Sequence, residues 1–218
     1  MTEKTDFLYP FIDAGDVDAS PLLADLARSA EAKATVSARL AVATLERTRP
    51  MVAAIADELA PRFNAGGRLF AFGNGGSSTD AASLAALFAH PPWGRALPAR
   101  SLAGDTAILT ALGNDVGFEL VFSRQLIAYA SPGDIAIGLS TSGNSRNLLT
   151  AFAEARAHGL ATVGFAGYDG GEMARCGDVQ HCLVVAADSI HRIQETQAAL
   201  AVAVWTAVQD RLGAGHLP

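Results

Sequence analysis

The segment DIAIGLSTSGNSRN, Asp134 to Asn147, decides the fold. Asp134 to Leu139 is a short apolar run of the kind that fills a strand buried on both faces. It stops at Ser140-Thr141-Ser142-Gly143-Asn144-Ser145, and a helical pattern follows at once, up to His158-Gly159. The same order occurs earlier. Arg68 to Phe72 (RLFAF) is a strand, Gly73-Asn74-Gly75-Gly76-Ser77-Ser78 is a turn, and the helix after it ends at His90-Pro91-Pro92. Further strands are expected near Leu97 to Leu102, over Leu160 to Phe165 and over Val179 to Val185. Helices run from Asp105, through Tyr129, and from about Ile190 to Leu212. Strands alternating with helices imply an α/β fold, a parallel sheet covered on both faces.

Upstream of this core the pattern is simpler. Residues 1–19 mix acids, aromatics and turn formers and read as an arm, docked on a neighbouring subunit through Phe7, Leu8, Tyr9 and Phe11. Residues 20–67 read as N-terminal helices. Ser20-Pro21 opens the first, apolar residues recur from Leu22 to Leu45, Pro50 breaks the run, and a second helix ends at Gly66-Gly67. Residues 68–213 form the ligand-binding core, and the whole is expected to be one domain.

Composition narrows the function. Of 218 residues half are hydrophobic and 17% charged, so the chain is not intrinsically disordered. Its net charge is −6 and no Lys/Arg block interrupts that acidity, which argues against nucleic acid or an anionic membrane as partner. The apolar stretch Thr196 to Gln209 is too short to span a bilayer, and Met1 to Asp18 has no signal-peptide pattern. Cys176 and Cys182 are too few for a disulfide scaffold. A soluble, cytoplasmic protein is expected.

The two turns carry the chemistry. Glycines let backbone N–H groups converge without Cβ interference, and a helix N-terminus adds partial positive charge. The second turn has four hydroxyls in six residues, further donors to a phosphate ester that make lysine unnecessary. Either turn alone could be a tight connection with a serine cap; two on one sheet edge favour a ligand site. Neither has the Gly-Lys-Ser/Thr of a Walker loop, nor GxGxxG with an acidic ribose partner, so a small phosphorylated metabolite fits better than a nucleotide.

Five ordered motifs carry a resemblance: GNGGSSTDA (Gly73–Ala81), GNDVGFELVFSRQL (Gly113–Leu126), GDIAIGLSTSGNSRN (Gly133–Asn147), GYDGGEMA (Gly167–Ala174) and HRIQE (His191–Glu195). From about residue 30 to 210 the chain resembles the SIS (sugar isomerase) domain and, within it, the phosphoheptose isomerase family. The resemblance implies a single SIS domain with a five-stranded, flavodoxin-like parallel sheet, assembled as a homotetramer. It implies a sugar phosphate as ligand, with Ser140, Thr141, Ser142 and Ser145 cradling the phosphate. Asn74, Gly75, Gly76, Ser77, Asn114, Asp115 and Gln194 match substrate-contacting positions.

The acid–base positions depart from that family. A histidine and glutamate four apart are expected after the first turn, where this chain has Ser83 and Leu87; a histidine eight residues after the glutamine is Val202 here. These residues neither transfer protons well nor make a zinc site, so no metal and no other cofactor is expected. Glu195 and His90 are the candidates for a relocated acid–base pair, with His191 as a further ligand contact. Two functions follow: an aldose–ketose isomerase of sedoheptulose 7-phosphate or a related sugar phosphate, or a catalytically inactive SIS tetramer acting as a phosphosugar-responsive regulatory or protein-binding module.

Overall fold

The computed structural model describes residues 20–214; the expected arm, residues 1–19, lies outside the described residues. The chain divides after Ala38 into two compact units. In the first, residues 20–38 are helical, and Leu22, Leu23, Leu26 and Val36 are exposed. The second holds the α/β core.

Helix α1 (Ser20–Asn64) is continuous, with Pro50 and Pro61 inside it, which corrects the expected break at Pro50. An interior proline forfeits a backbone hydrogen bond and costs about 3 kcal/mol. Here Pro50 is exposed, so the carbonyl that loses its partner is on the wet side. Val52, Ile55, Leu59 and Phe63 are buried on the other side, each worth about 1.5–3 kcal/mol, and together they outweigh the loss.

The core follows as β1 (Leu69–Gly73), α2 (Gly76–Ala89), β2 (Ala99–Ser101), α3 (Thr106–Asp115), α4 (Ser123–Tyr129), β3 (Ile135–Ser140), α5 (Arg146–Ala157), β4 (Ala161–Gly167), β5 (His181–Val185) and α6 (Ile190–Arg211). All four strand pairings are parallel, in the order β2-β1-β3-β4-β5. Alternating side chains feed two cores. Leu69, Ala71, Ile135, Ile137, Val163 and Phe165 pack on one face with α1, α2 and α6. Phe70, Phe72 and Ala136 pack on the other with α4 and α5. Period-two burial on both faces is why these strands read as unbroken apolar runs. Gly138 is required here: a Cβ would lie 2.6 Å from Phe152 and 2.8 Å from Phe72, whose rings pack at 5.2 Å.

The strand order reverses between β1 and β3, since α2 leads out to β2 on one side and α5 leads to β4 on the other. In open α/β sheets the crevice at that reversal is where ligands bind. No helix of the described residues is long and apolar enough to cross a membrane.

Candidate active site

Both glycine turns open at this reversal. In the first, Gly73 ends β1 so closely against the Ser77 carbonyl that no Cβ fits. Gly75 precedes α2 at φ 55°, the left-handed region that favours glycine, with open space beside it. Ser77 is buried in the first turn of α2, and Ser78 Oγ donates to the Gly75 carbonyl at 2.6 Å.

In the second turn the hydroxyls converge. Ser140 Oγ lies 3.1 Å from Ser145 Oγ and 3.4 Å from Ser142 Oγ, and Gly143 N–H donates to Ser140 Oγ at 3.1 Å. Ser145 stands at the N-cap of α5 but makes no side-chain bond to its own helix, so its hydroxyl is turned toward Ser140. Thr141 is held through its carbonyl, which accepts from Gly167 N–H at 3.0 Å. The loop after β4 braces the turn: Gly143 packs on the Gly170 backbone, and Glu172 N–H donates to Asn144 Oδ1 at 2.8 Å. In that loop the Asp169 carboxyl is held below its ordinary range, first by Gly171 N–H and then by Arg175.

An amide pair joins the two turns. Asn74 Nδ2 donates to Asn147 Oδ1 and Asn147 Nδ2 donates to Asn74 Oδ1, each at 2.9 Å. Asn147 is buried in the first turn of α5. Sequence reasoning missed it, because nothing in its neighbourhood signals a partner 73 residues away.

On the other side of the first turn, Gln194 from α6 lies against Gly76, where a Cβ would meet Gln194 Nε2 at 2.5 Å. Gln194 Nε2 donates to Asp80 Oδ2 at 2.9 Å. Gly76, Thr79, Asp80, His191, Gln194 and Glu195 line a cavity of about 400 Å³, with His191 and Glu195 exposed. Next to it, sharing Asp80 and Ala198, is a smaller cavity of about 190 Å³ that includes Ser83, Leu87 and Val202.

Other expected residues lie elsewhere. Asn114 and Asp115, bonded to each other at 2.7 Å, are exposed at the end of α3 and line neither cavity. His90 is exposed at the C-cap of α2. That is a full 14-residue helix, roughly 20 Å at 1.5 Å per residue, from the glycine turn, so the fold of one chain does not bring it to the crevice. A larger cavity of about 730 Å³ opens at the opposite edge of the sheet, and its charges are already matched. Arg68 pairs with Asp134 at 2.7 Å and Arg62 with Glu58 at 2.8 Å.

Residues 34–167 match the SIS domain family. The chain belongs to that family. Its curated relatives include the phosphoheptose isomerase of Roseiflexus sp., 43% identical over 171 residues, 78% of this chain and 86% of the relative. The phosphoheptose isomerase of Chlorobaculum tepidum is 42% identical over 184 residues, 81% of this chain and 86% of the relative. Among solved structures, a phosphoheptose isomerase from Neisseria gonorrhoeae superposes with a TM-score of 0.77 at 33% identity, covering 85% of this chain and 99% of the other. One from Francisella tularensis gives 0.76 at 27%, covering 84% and 97%. These phosphoheptose isomerase relatives span most of the SIS chain, both glycine turns included.

Zinc, which the resemblance associates with some members, does not fit this SIS site. Ser83, Leu87 and Val202 offer no imidazole, thiolate or carboxylate, and the Gln194 amide is engaged by Asp80. Among the described residues no group of three or more His, Cys, Asp or Glu side chains could hold a metal ion.

Proposed function

We propose that the chain is a sugar-phosphate isomerase that binds its substrate in the crevice between β1 and β3 and interconverts aldose and ketose forms. The observation that carries this reading is the pair of turns at the strand-order reversal, tied by the Asn74–Asn147 amides, with the hydroxyls of Ser140, Ser142 and Ser145 converging at the start of α5. A phosphate accepts from hydroxyls and from helix-start N–H groups alike, so this turn takes the phosphate. The sugar then extends past Asn74, Gly75 and Gly76 toward Gln194. Sedoheptulose 7-phosphate is the first substrate to test, given the phosphoheptose isomerases among the relatives.

Aldose–ketose interconversion moves a proton between adjacent carbons and needs a base over them. Glu195, exposed in the cavity with Gln194 and Asp80, is the carboxylate assigned that role; it removes the proton and returns it to the neighbouring carbon. His191 in the same cavity faces the sugar oxygens. Exposed apolar residues on α1 and α6, Val42, Met51 and Val202, support self-association of the chain, which we take to be a homotetramer. The relatives lend no support to an inactive regulatory module.

The test is proton NMR of the protein with sedoheptulose 7-phosphate in D2O. New aldose signals with deuterium entering the sugar are expected. Broadened sugar signals without turnover or exchange would remove the isomerase reading and leave a phosphosugar-binding protein.

A further inference from the structure

Interconverting a ketose and an aldose moves two protons. One passes between the carbons, the task assigned to Glu195. The other leaves the C1 hydroxyl, which becomes the aldehyde oxygen, and joins the C2 oxygen, which becomes a hydroxyl. A group that carries this second proton must reach both oxygens at once, so it has to be held in place.

Asp80 meets that requirement. It lies near the start of α2 and lines both the cavity of Glu195 and the smaller one behind it. Its Oδ2 accepts from Gln194 Nε2 at 2.9 Å, and the Gln194 amide is seated over Gly76, where a Cβ would lie 2.5 Å from Nε2. The carboxylate is thereby fixed through one oxygen. Its other oxygen, Oδ1, takes no hydrogen bond and no cation pairs with the side chain among the described residues. The residue is half-buried, yet Oδ1 is not among the atoms sealed from solvent. A carboxylate accepts at both oxygens, so this one keeps a free acceptor at the cavity wall. The neighbouring groups fit less well. Glu195 and His191 are exposed, and no hydrogen bond among the described residues fixes either side chain. Behind Asp80 the smaller cavity has no other titratable group, and the Gln197 amide in its wall is sealed from solvent.

We propose that Asp80 is a second catalytic residue, carrying the proton between the two sugar oxygens while Glu195 carries the one between the carbons. From the ketose, Glu195 takes a proton from C1; the C–H pair becomes the C1=C2 bond, and the carbonyl pair of C2 moves onto O2. Asp80 Oδ1 accepts the proton of O1 and passes a proton to O2, so the negative charge moves from O2 to O1. The O1 pair then closes the C1=O1 double bond. The C1=C2 pair takes the proton back from Glu195 at C2, and both carboxylates end as they began. The second N–H of Gln194 Nε2, unused by Asp80, steadies the same oxygens. The inference rests on the isomerase reading of this cavity and divides its chemistry between α2 and α6.

Proton NMR of the full chain with sedoheptulose 7-phosphate in D2O separates the two transfers. Glu195 is exposed, so the proton it takes exchanges with solvent. Deuterium at C1 of unreacted sedoheptulose 7-phosphate therefore reports the carbon step alone, and aldose signals report both. Asp80→Asn keeps an oxygen to accept from Gln194 and nearly the same volume, but it carries no proton. It is expected to bind the sugar within about twofold of the parent chain and to keep deuterium entry at C1 within about tenfold. Aldose formation is expected to fall by about 10²–10⁴-fold. Glu195→Gln is expected to lose both signals. If in Asp80→Asn deuterium entry falls as far as aldose formation, or neither falls, Asp80 is not the oxygen carrier. Loss of binding with an unchanged circular dichroism spectrum would make it part of the anchor. Each of these results overturns the inference and leaves the isomerase reading standing. If the parent chain gives neither aldose nor deuterium entry, the isomerase reading falls and this inference with it.

Discussion

The turn after β3 and the wall formed by α2 and α6 border one crevice but differ in kind. The turn is polar and tightly bonded: Ser140, Ser142, Gly143, Asn144 and Ser145 are tied to one another and braced by the loop after β4. The wall is mostly aliphatic, with Leu84, Leu87, Ala201 and Val202, and its one deeply buried amide is unpaired. Holding a phosphate requires fixed donors, which backbone and hydroxyls supply wherever the turn is kept. Proton transfer requires a few titratable groups, which single substitutions remove without disturbing the sheet. Anchoring and chemistry are therefore separable in this fold.

The sharpest way to break that comparison is Glu195→Gln. If proton transfer sits on the α6 side alone, turnover of sedoheptulose 7-phosphate measured by NMR falls by about 10²–10⁴-fold while its dissociation constant stays within about twofold. A loss of binding instead would make Glu195 part of the anchor. The converse variant, Ser140→Ala with Ser142→Ala, is expected to weaken sugar-phosphate binding by about 100-fold in calorimetry, since each hydroxyl bond to a charged group is worth roughly 1.5–3 kcal/mol. Unchanged affinity would remove the phosphate from this turn.

Much of this division was legible in the sequence. The anchoring turns are local: a glycine or serine run directly after an apolar strand implies its own geometry, and both turns formed where expected. The Asn74–Asn147 and Asp80–Gln194 pairs were not legible, since each joins elements that meet only once the sheet is assembled. The unbroken α1 was missed for a related reason. Proline's local cost is visible in sequence, whereas the burial of Val52, Ile55 and Leu59 that overrides it is a tertiary effect.

Smaller effects sharpen the picture. Asn147→Ala strips Asn74 of a donor and an acceptor; it is expected to lower unfolding free energy in denaturant by about 1–3 kcal/mol and to weaken sugar binding less than the double serine variant does. Metal analysis of protein purified without chelator is expected to give well under one zinc per chain. A stoichiometric value would mean that the α2–α6 wall gathers ligands beyond those described. The smallest effect concerns Cys182, whose thiol burial, and secondarily Cys176, push up to about 12 from an ordinary 9.0. The unfolded chain therefore ionises this thiol first, so the stability it contributes is full below about pH 9 and is lost as pH rises toward 12. Cys182→Ala is expected to flatten the pH dependence of the melting temperature over that alkaline window, on top of a small pH-independent loss from the missing sulfur, which packs on the core.

The amide pair between the turns also constrains how this protein can change over generations. Each asparagine is both donor and acceptor to the other, so a substitution at either position strands two atoms of its partner, buried in the case of Asn147 and half-buried in that of Asn74. No single-residue step leaves the pair half intact at little cost. The two positions, one in the turn after β1 and the other in the first turn of α5, are far apart in the chain and are thus bound to vary together or not at all.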